Sequence, residues 1–308
     1  MRDEGAAQQS APTAALSSAT RRPYHWLLLI VGILATSTGS IIIRSAEAPA
    51  LAVGAWRLLL STILLAPFAL GPFSREACVL GRRERLLLAG AGVCLSLHFA
   101  FWISSLSYTS VASSVILVST NPLWVALMLR FVLGERIPRR SVVAIVVALA
   151  GTVAISLGDL TCSPRALVGD ALAVLGAISG SAYFMLGRAV RRRLSTLAYV
   201  WPCYGLAAAL LGSYALAARQ PLWGYTPDTY GWFVLLALGP QILGHTSYNW
   251  ALGYFTPILV TIALLGEPIG ASLLAYVLLH EAPSLGVWLG GPLILAGILL
   301  AAWQERSG

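Results

Sequence analysis

The sequence has little charge for its length and no lysine. Asp, Glu and Arg make up 10% of the 308 residues and hydrophobic residues make up 58%, whereas charged residues are about a quarter of an average soluble domain. This composition excludes an ordinary soluble domain. The formal net charge of +8 does not indicate nucleic-acid binding, because the arginines lie in short loops and form no basic face with interleaved aromatics.

Cysteines and cofactor motifs are also scarce. Cys94 lies inside an apolar segment, and Cys78 and Cys162 lie on loops predicted at opposite ends of such segments, so no intrachain disulfide is expected. No ligand motif accompanies Cys94, His98 and His245, and no metal site is predicted. A glycine-rich nucleotide-binding loop is also absent, which argues against ATP hydrolysis by this chain. We therefore expect no cofactor.

Long apolar segments account for most of the chain. A helix needs about 20 apolar residues to cross the hydrocarbon core with its backbone hydrogen bonds paired internally. Residues 1–22, rich in Ala, Ser, Thr and Gln, are expected to be a disordered tail. The remainder predicts an all-α membrane protein with ten transmembrane helices. The predicted spans are roughly 25–43, 50–71, 86–106, 109–133, 139–157, 167–187, 196–217, 230–252, 256–279 and 285–303.

The arginines are divided unevenly between the two sets of predicted loops. Under the positive-inside rule the arginine-rich set is cytoplasmic, which places both termini in the cytoplasm. We expect the membrane to be a bacterial-type inner (plasma) membrane. The rich set comprises Arg2, Arg21, Arg22, Arg75, Arg82, Arg83, Arg85, Arg136, Arg139, Arg140, Arg191, Arg192, Arg193 and Arg306, with Arg188 at a span end, and the poor set comprises Arg44, Arg165 and Arg219.

The two halves of the chain resemble each other at an offset of 146 residues. We predict a cytoplasmic tail over 1–22, a first five-helix repeat over 23–158 and a second over 165–304. Because five is odd, the second repeat enters from the opposite side, an inverted arrangement typical of secondary transporters with a midplane substrate site. The matching segments are 106–108 with 252–254, Asn121-Pro122 with Glu267-Pro268, 133–135 with 279–281, and 149–151 with 295–297.

Each half has a proline near the centre of one span, Pro122 in the first and Pro268 in the second. A proline lacks the N–H that would bond to the carbonyl four residues back, here that of Val118 or Leu264. We interpret the two prolines as helix breaks that expose backbone polarity at a midplane cavity. A plain packing kink is the alternative, since membrane helices tolerate proline.

Glu267 precedes one of these prolines and is the residue most indicative of function. A carboxylate at the bilayer centre costs roughly 2.5–3.5 kcal/mol on insertion scales, so it should face the protein interior or water. We interpret it as a site that binds a proton in one state and substrate in another. A structural carboxyl group bonded to a neighbouring helix is the alternative. Its counterpart Asn121 is polar but cannot titrate.

Two apolar spans each carry a stripe of polar residues at helical spacing. Residues three or four apart share one helix face. We predict that the two stripes form walls of a cavity that hydrogen-bonds a substrate, with adhesion between helices as the alternative. The stripes are Cys94, His98, Trp102 and Ser105 in the third span, and Gln241, His245 and Asn249 in the eighth.

Charged residues near span ends have a more ordinary interpretation. Arg57 lies seven residues into the second span, about 10 Å below its outer end by helical rise. It could be a cavity cation for an anionic or zwitterionic substrate, or it could snorkel to the interface. Glu135 abuts Arg136, Arg139 and Arg140, which predicts an ion pair at the membrane boundary.

These motifs together resemble the EamA repeat of the drug/metabolite transporter superfamily. The resemblance covers about residues 25–303 and is carried by the segment from Trp102 to Arg136, its echo from Asn249 to Glu281, and Ala55-Trp56-Arg57. It implies a ten-helix inverted-repeat fold, alternating access and, commonly, efflux of amino acids, metabolites or drugs. It also implies a cavity lined by helices three, four, eight and nine. By position those helices supply His98, Trp102, Asn121, Gln241, His245, Asn249 and Glu267.

We therefore expect a secondary active transporter that exports small metabolites such as amino acids or drug-like solutes, driven by protons. Its partners would be a small-molecule substrate and membrane lipid but no nucleic acid. The sequence leaves open whether the chain forms a homodimer. A membrane-embedded enzyme acting on a lipid or isoprenoid is the alternative, but it would need reactive groups near an interface. The expected substrate- and proton-binding residues are Glu267, His98, His245, Asn121, Trp102, Gln241, Asn249 and Arg57, with helix breaks at Pro122 and Pro268.

Overall fold

The computed structural model describes residues 23–156, 163–279 and 285–307, and all regular secondary structure in these ranges is helical. The predicted tail over 1–22, Cys162 and Glu281 lie outside the described residues. The helices are α1 Pro23–Ser37, α2 Gly39–Ser45, α3 Ala50–Ala77, α4 Arg82–Ser105, α5 Val111–Val118, α6 Asn121–Phe131, α7 Arg139–Ser156, α8 Pro164–Val190, α9 Thr196–Ala217, α10 Pro227–Leu236, a π-helical segment Ala237–His245, α11 Thr246–Ala251, α12 Pro257–Leu264, α13 Glu267–Leu279 and α14 Leu285–Ser307.

Several helices begin at a hydroxyl side chain that caps the first turn. Each of these side chains accepts a hydrogen bond from the backbone N–H three residues further on, which satisfies one donor that has no partner inside the helix. Two of the capped helices, α5 and α12, lead into the candidate site described below. The caps are Ser110, Ser163, Ser195, Thr226 and Thr256.

Eight helical segments among the described residues are long and apolar enough to cross a membrane, with lengths of 18 to 28 residues and mean hydropathy of 1.3 to 2.2. Large apolar side chains such as Phe131 (79% exposed) and Phe68 (67% exposed) face outward from the protein, and such a surface requires lipid around it. The chain is therefore an integral membrane protein. Two further predicted spans coincide with α7 and with the run of α10, the π-helical segment and α11, which are helical but are not among the eight.

Helices from the two halves pack against each other closely. α7 lies along α14, α4 along α8 and α9, and α3 along α9. Glycines make the first of these contacts possible, because a Cβ on Gly151 would lie 2.6 Å from the carbonyl oxygen of Gly290, and one on Gly297 would lie 2.6 Å from the Cβ of Ala148. Small residues let membrane helices approach to backbone contact. The halves are thus interlocked rather than side by side.

Polar contacts bring the arginine-rich loops to one end of the protein. Arg188 forms a salt bridge of 3.2 Å with Glu135, and the Ser195 N–H donates to Glu76 Oε2 at 2.6 Å. The ion pair predicted for Glu135 is present, and its partner is Arg188 at the end of α8 rather than an arginine adjacent in sequence. An adjacent arginine is not the preferred partner when a helix from the other half presents one across the contact.

Candidate functional site

Two spans are broken at equivalent places. Between α5 and α6 the chain leaves the helix at Ser119 and Thr120, and between α12 and α13 it does so at Leu265 and Gly266. Pro122 lies in the first turn of α6, and Pro268 is the second residue of α13. Both prolines thus accompany the helix breaks interpreted from the sequence. Each lies in the first turn of a new helix rather than in the middle of a helix, and proline is well tolerated there because its missing N–H has no partner.

A cavity of about 50 Å³ lies where these two breaks meet. That volume has room for a few water molecules. Five of the predicted binding residues line it, together with backbone and hydroxyl groups of the breaks. The lining residues are His98, Trp102, Val118, Ser119, Asn121, His245, Thr261, Leu264, Leu265 and Glu267.

Glu267 is the only acidic residue of this lining. It is the first residue of α13, where the positive end of the helix dipole favours a negative charge. The hydroxyl of Tyr248 donates to its Oε1 at 3.2 Å. That hydroxyl is also 2.5 Å from Oγ1 of Thr36 in α1. The carboxyl group is therefore connected through Tyr248 to α1, a link that the sequence did not reveal.

The two predicted histidines face each other across the cavity, with ring centroids 6.4 Å apart. His98 Nδ1 donates to the carbonyl oxygen of Gly176 in α8 at 2.8 Å, which leaves Nε2 of the neutral ring as an acceptor. Gly180 makes room for this ring, because a Cβ there would lie 2.7 Å from Nδ1. The ring of His98 also stacks on Trp102 at a centroid distance of 5.9 Å.

Two nitrogens in the cavity wall have no hydrogen-bond partner among the described residues. They are Nδ1 of His245 and Nε1 of Trp102, and both atoms are buried. Buried polar groups in folded proteins are almost always hydrogen-bonded to protein or to water. Within the described residues, these two atoms are therefore polar groups of cavity-lining residues that the protein itself leaves unpaired.

Asn121 begins α6 at the other break and is held from α8. The hydroxyl of Ser181 lies 3.1 Å from both Oδ1 and the backbone carbonyl of Asn121. Both residues are buried. The Asn121 amide is thus held by a serine hydroxyl, whereas the Glu267 carboxyl group at the matching position is held by a tyrosine hydroxyl.

Arg57 is 1% exposed, so it does not snorkel to an interface. Its Nε donates to Oε1 of Gln241 at 2.7 Å, and its guanidinium lies 4.5 Å from the ring centre of Phe99. Phe99 in turn contacts His245, at a centroid distance of 5.3 Å. Arg57 therefore lies behind the cavity wall rather than in it. Among the described residues it forms no salt bridge with Glu267.

The predicted stripe of Gln241, His245 and Asn249 is only partly correct. Residues 237–245 are π-helical, and the backbone N–H of Thr246 bonds to the carbonyl of Gln241 five residues back. The wider turn changes which side chains share a face. Only His245 lines the cavity, while Gln241 binds Arg57 and the Asn249 Nδ2 donates to the carbonyl oxygen of His245 at 2.6 Å.

Three contributors to the site were missed or misjudged from the sequence. Thr261 lines the cavity but sits in a uniformly apolar stretch and gave no signal. Ser181 and Thr36 support Asn121 and Tyr248, although small hydroxyls in membrane helices normally indicate packing. A usable signal existed for the π-helical segment, since Gly239-Pro240 immediately precedes Gln241 and proline removes a regular backbone bond.

Comparison with known sequences identifies the family of this chain. The profile of the EamA-like transporter family matches residues 24–157 and again residues 167–303. The chain belongs to this family. An uncharacterized transporter of Archaeoglobus fulgidus is 27% identical over 286 residues, covering 92% of this chain and 97% of that protein. The uncharacterized transporter YwfM of Bacillus subtilis is 28% identical over 291 residues, covering 92% of this chain and 95% of its own length.

A solved structure shares the fold of this EamA-like protein. It superimposes with a TM-score of 0.76 over 93% of this chain and 99% of the other, at 24% sequence identity. The chain is thus a membrane transporter by family. Both stretches that match the family profile fall inside the halves predicted from the internal repeat.

Proposed function

We propose that the protein is a proton-coupled secondary transporter that exports small metabolites, such as amino acids or drug-like solutes, by alternating access. Membership of a transporter family supports transport and favours it over a membrane-embedded enzyme. The observation that carries the proposal is the cavity at the meeting point of two helix breaks, with Glu267 in its wall. Ionisable residues inside membrane segments typically mark ion or substrate pathways.

The protein's topology in this proposal is ten spans in two inverted five-helix repeats, 23–158 and 165–304. Two matches to one family profile support the duplication. The arginine-rich end would face the cytoplasm, together with both termini, in a bacterial-type plasma membrane. α7 and the run from α10 to α11 would supply the two spans beyond the eight described above.

The described conformation is closed around the site. Small-molecule pockets are about 300–1,000 Å³, whereas the cavity is about 50 Å³. Transport requires the cavity to widen towards each side in turn. Rocking of one half against the other would separate α4 from α8 and α7 from α14, which are tightly packed. We therefore assign the movement to the broken helices, α5–α6 and α12–α13, and propose their interruptions as the hinges.

Glu267 would take up and release the coupling proton. A potential of 100 mV supplies roughly 2.3 kcal/mol per charge moved, which corresponds to accumulation of the order of 50-fold. His98, His245, Trp102 and Asn121 would hydrogen-bond the substrate. Arg57, Gln241 and Asn249 would act from behind the wall by fixing its position and charge.

The test is solute flux in proteoliposomes that contain the purified chain, measured across a panel of amino acids and drug-like amines under an imposed pH gradient. We expect saturable, gradient-dependent flux of at least one panel class. Glu267→Gln should abolish the dependence on the gradient, whereas Glu47→Gln, an exposed loop acid, should retain it. Full gradient-driven flux in Glu267→Gln would remove that residue from the coupling, and absence of flux for every class in the unchanged chain would contradict the transport proposal.

A further inference from the structure

A second cavity, separate from the central one, lies at the arginine-rich end. It has a volume of about 520 Å³ and is bounded by the start of α4, the end of α6 with the loop after it, and the end of α8. It shares no lining residue with the central cavity. We call it the basic groove. Its charged lining residues are Arg83, Arg188, Arg192, Arg193, Glu84 and Glu135.

The charges of the basic groove are not balanced. Arg188 pairs with Glu135 at 3.2 Å and Arg193 with Glu84 at 3.5 Å. Arg83 and Arg192 form no salt bridge with any described residue, so the groove retains a net charge of +2. In addition, Nε of Arg188 is buried and has no acceptor among the described residues. The groove therefore presents cationic donors that an anionic ligand would complement.

The other wall of the groove is apolar. Leu87, Met185 and Leu133 line it, and the apolar surface continues along the end of α6 through Val132 and Phe131, which are 76% and 79% exposed. A free anion would satisfy the arginines but would leave this surface uncovered. A ligand with a phosphate group and an acyl chain matches both walls at once.

We propose that the basic groove is a binding site for an anionic phospholipid. The phosphate binds between Arg83, Arg188 and Arg192, and an acyl chain lies along Leu133 and the exposed end of α6. Basic pockets between membrane helices at an interface bind anionic lipid headgroups by the same combination of charge and apolar contact. The proposal is independent of transport, because none of its residues line the central cavity.

The test is native mass spectrometry of the detergent-purified full chain, titrated with phosphatidylglycerol or with phosphatidylcholine of the same acyl chains. We expect phosphatidylglycerol to bind more tightly. Each arginine near an anionic lipid contributes about 5-fold in affinity, so Arg83→Gln/Arg192→Gln should weaken phosphatidylglycerol binding by about 30-fold and phosphatidylcholine binding little. Both arginines are exposed, so folding should be retained.

The matched control is Arg75→Gln/Arg139→Gln, which removes the same charge at the same end from two exposed residues outside the groove. It should leave phosphatidylglycerol binding within about 2-fold of the unchanged chain. Equal loss in both double variants would show a general surface-charge effect and overturn the site. Displacement of the lipid by glycerol 3-phosphate at equal concentration would also overturn it, since the apolar wall would then contribute nothing. If Arg83→Gln/Arg192→Gln melts at a lower temperature than the unchanged chain without added lipid, the single variant Arg192→Gln replaces it in the test. Arg192→Gln should then weaken phosphatidylglycerol binding by about 5-fold.

Discussion

The two broken helices have the same backbone design and different chemistry. In each, a short helix with a hydroxyl cap ends at a break, and the next helix begins with a polar residue followed by proline. The polar residue is Asn121 in one and Glu267 in the other. Asn121 is held by Ser181, and Glu267 by Tyr248. A proline thus marks each break, whereas the one carboxylate among the described residues that line the cavity lies at only one of them.

The supports of the two breaks also differ in where they come from. α5 is tied to α8 of the other half, because Thr109 Oγ1 and Ser113 Oγ both donate to Asp170 Oδ1, at 2.8 and 2.7 Å. α12 is tied to α14 of its own half, because the Thr256 hydroxyl donates to Glu305 Oε2 at 2.7 Å. A movement that separates α5 from α8 must break the first set of bonds, whereas the bond between Thr256 and Glu305 holds α12 to a helix of its own half. The two breaks are therefore not mechanically equivalent.

The largest expected effect comes from exchanging the two polar residues. In Asn121→Glu/Glu267→Asn the carboxylate is present but faces Ser181 instead of Tyr248 and Thr36. We expect gradient-driven flux in proteoliposomes to stay at least ~10-fold below that of the unchanged chain, equivalent to about 1.4 kcal/mol. Asn121→Ala should lower flux by less and preserve its dependence on the pH gradient. Recovery of coupling in the exchange variant would show that the two breaks are chemically interchangeable and would refute the asymmetry.

A smaller effect is expected from removing the prolines one at a time. Pro122→Ala and Pro268→Ala each restore a backbone N–H at a break, so the helix can close through it. Flux should fall several-fold, whereas the free energy of unfolding should fall by no more than about 1 kcal/mol, because a proline at a compatible site restricts the unfolded chain. Pro292→Ala is the matched control, since that proline lies inside α14 and outside the cavity. Equal flux loss in the control would mean that proline acts through general helix stiffness.

Much of this comparison was accessible from sequence, because it rests on local patterns. A proline preceded by a polar residue, repeated at one offset, located both breaks and drew attention to Asn121 and Glu267. His98 and Trp102 share a helix face in a regular α-helix, so their common exposure to the cavity followed from spacing. In each case the relevant geometry is set within one or two helical turns.

The parts that failed depend on contacts between distant segments or on irregular backbone. Gln241 and Asn249 do not lie on the predicted face, because the π-helical turn changes the number of residues per turn. The same polar residues in the sequence are compatible with either type of helix. The sequence did not distinguish a cavity cation from a snorkelling side chain at Arg57, because its partner, Gln241, is 184 positions away. The ion pair of Glu135 was predicted, but its partner Arg188, at the end of a distant helix, was not identified from the sequence. The position of a residue along its span and the helical period follow from the local sequence, whereas the fold determines which residue each side chain contacts.

The smallest expected effect concerns the caps that start α5 and α12. Ser110→Ala removes a side chain that accepts from the Ser113 N–H, and loss of such a cap costs about 1 kcal/mol. Thr256→Ala removes the corresponding cap and also a bond to the Glu305 carboxylate, so its loss of unfolding free energy should be about twice as large. Thr256→Ser keeps both bonds and is the control. Equal destabilisation of the two alanine variants, measured by denaturant unfolding in detergent, would mean that Glu305 does not secure α12, and the mechanical difference between the two breaks would then rest on Asp170 alone.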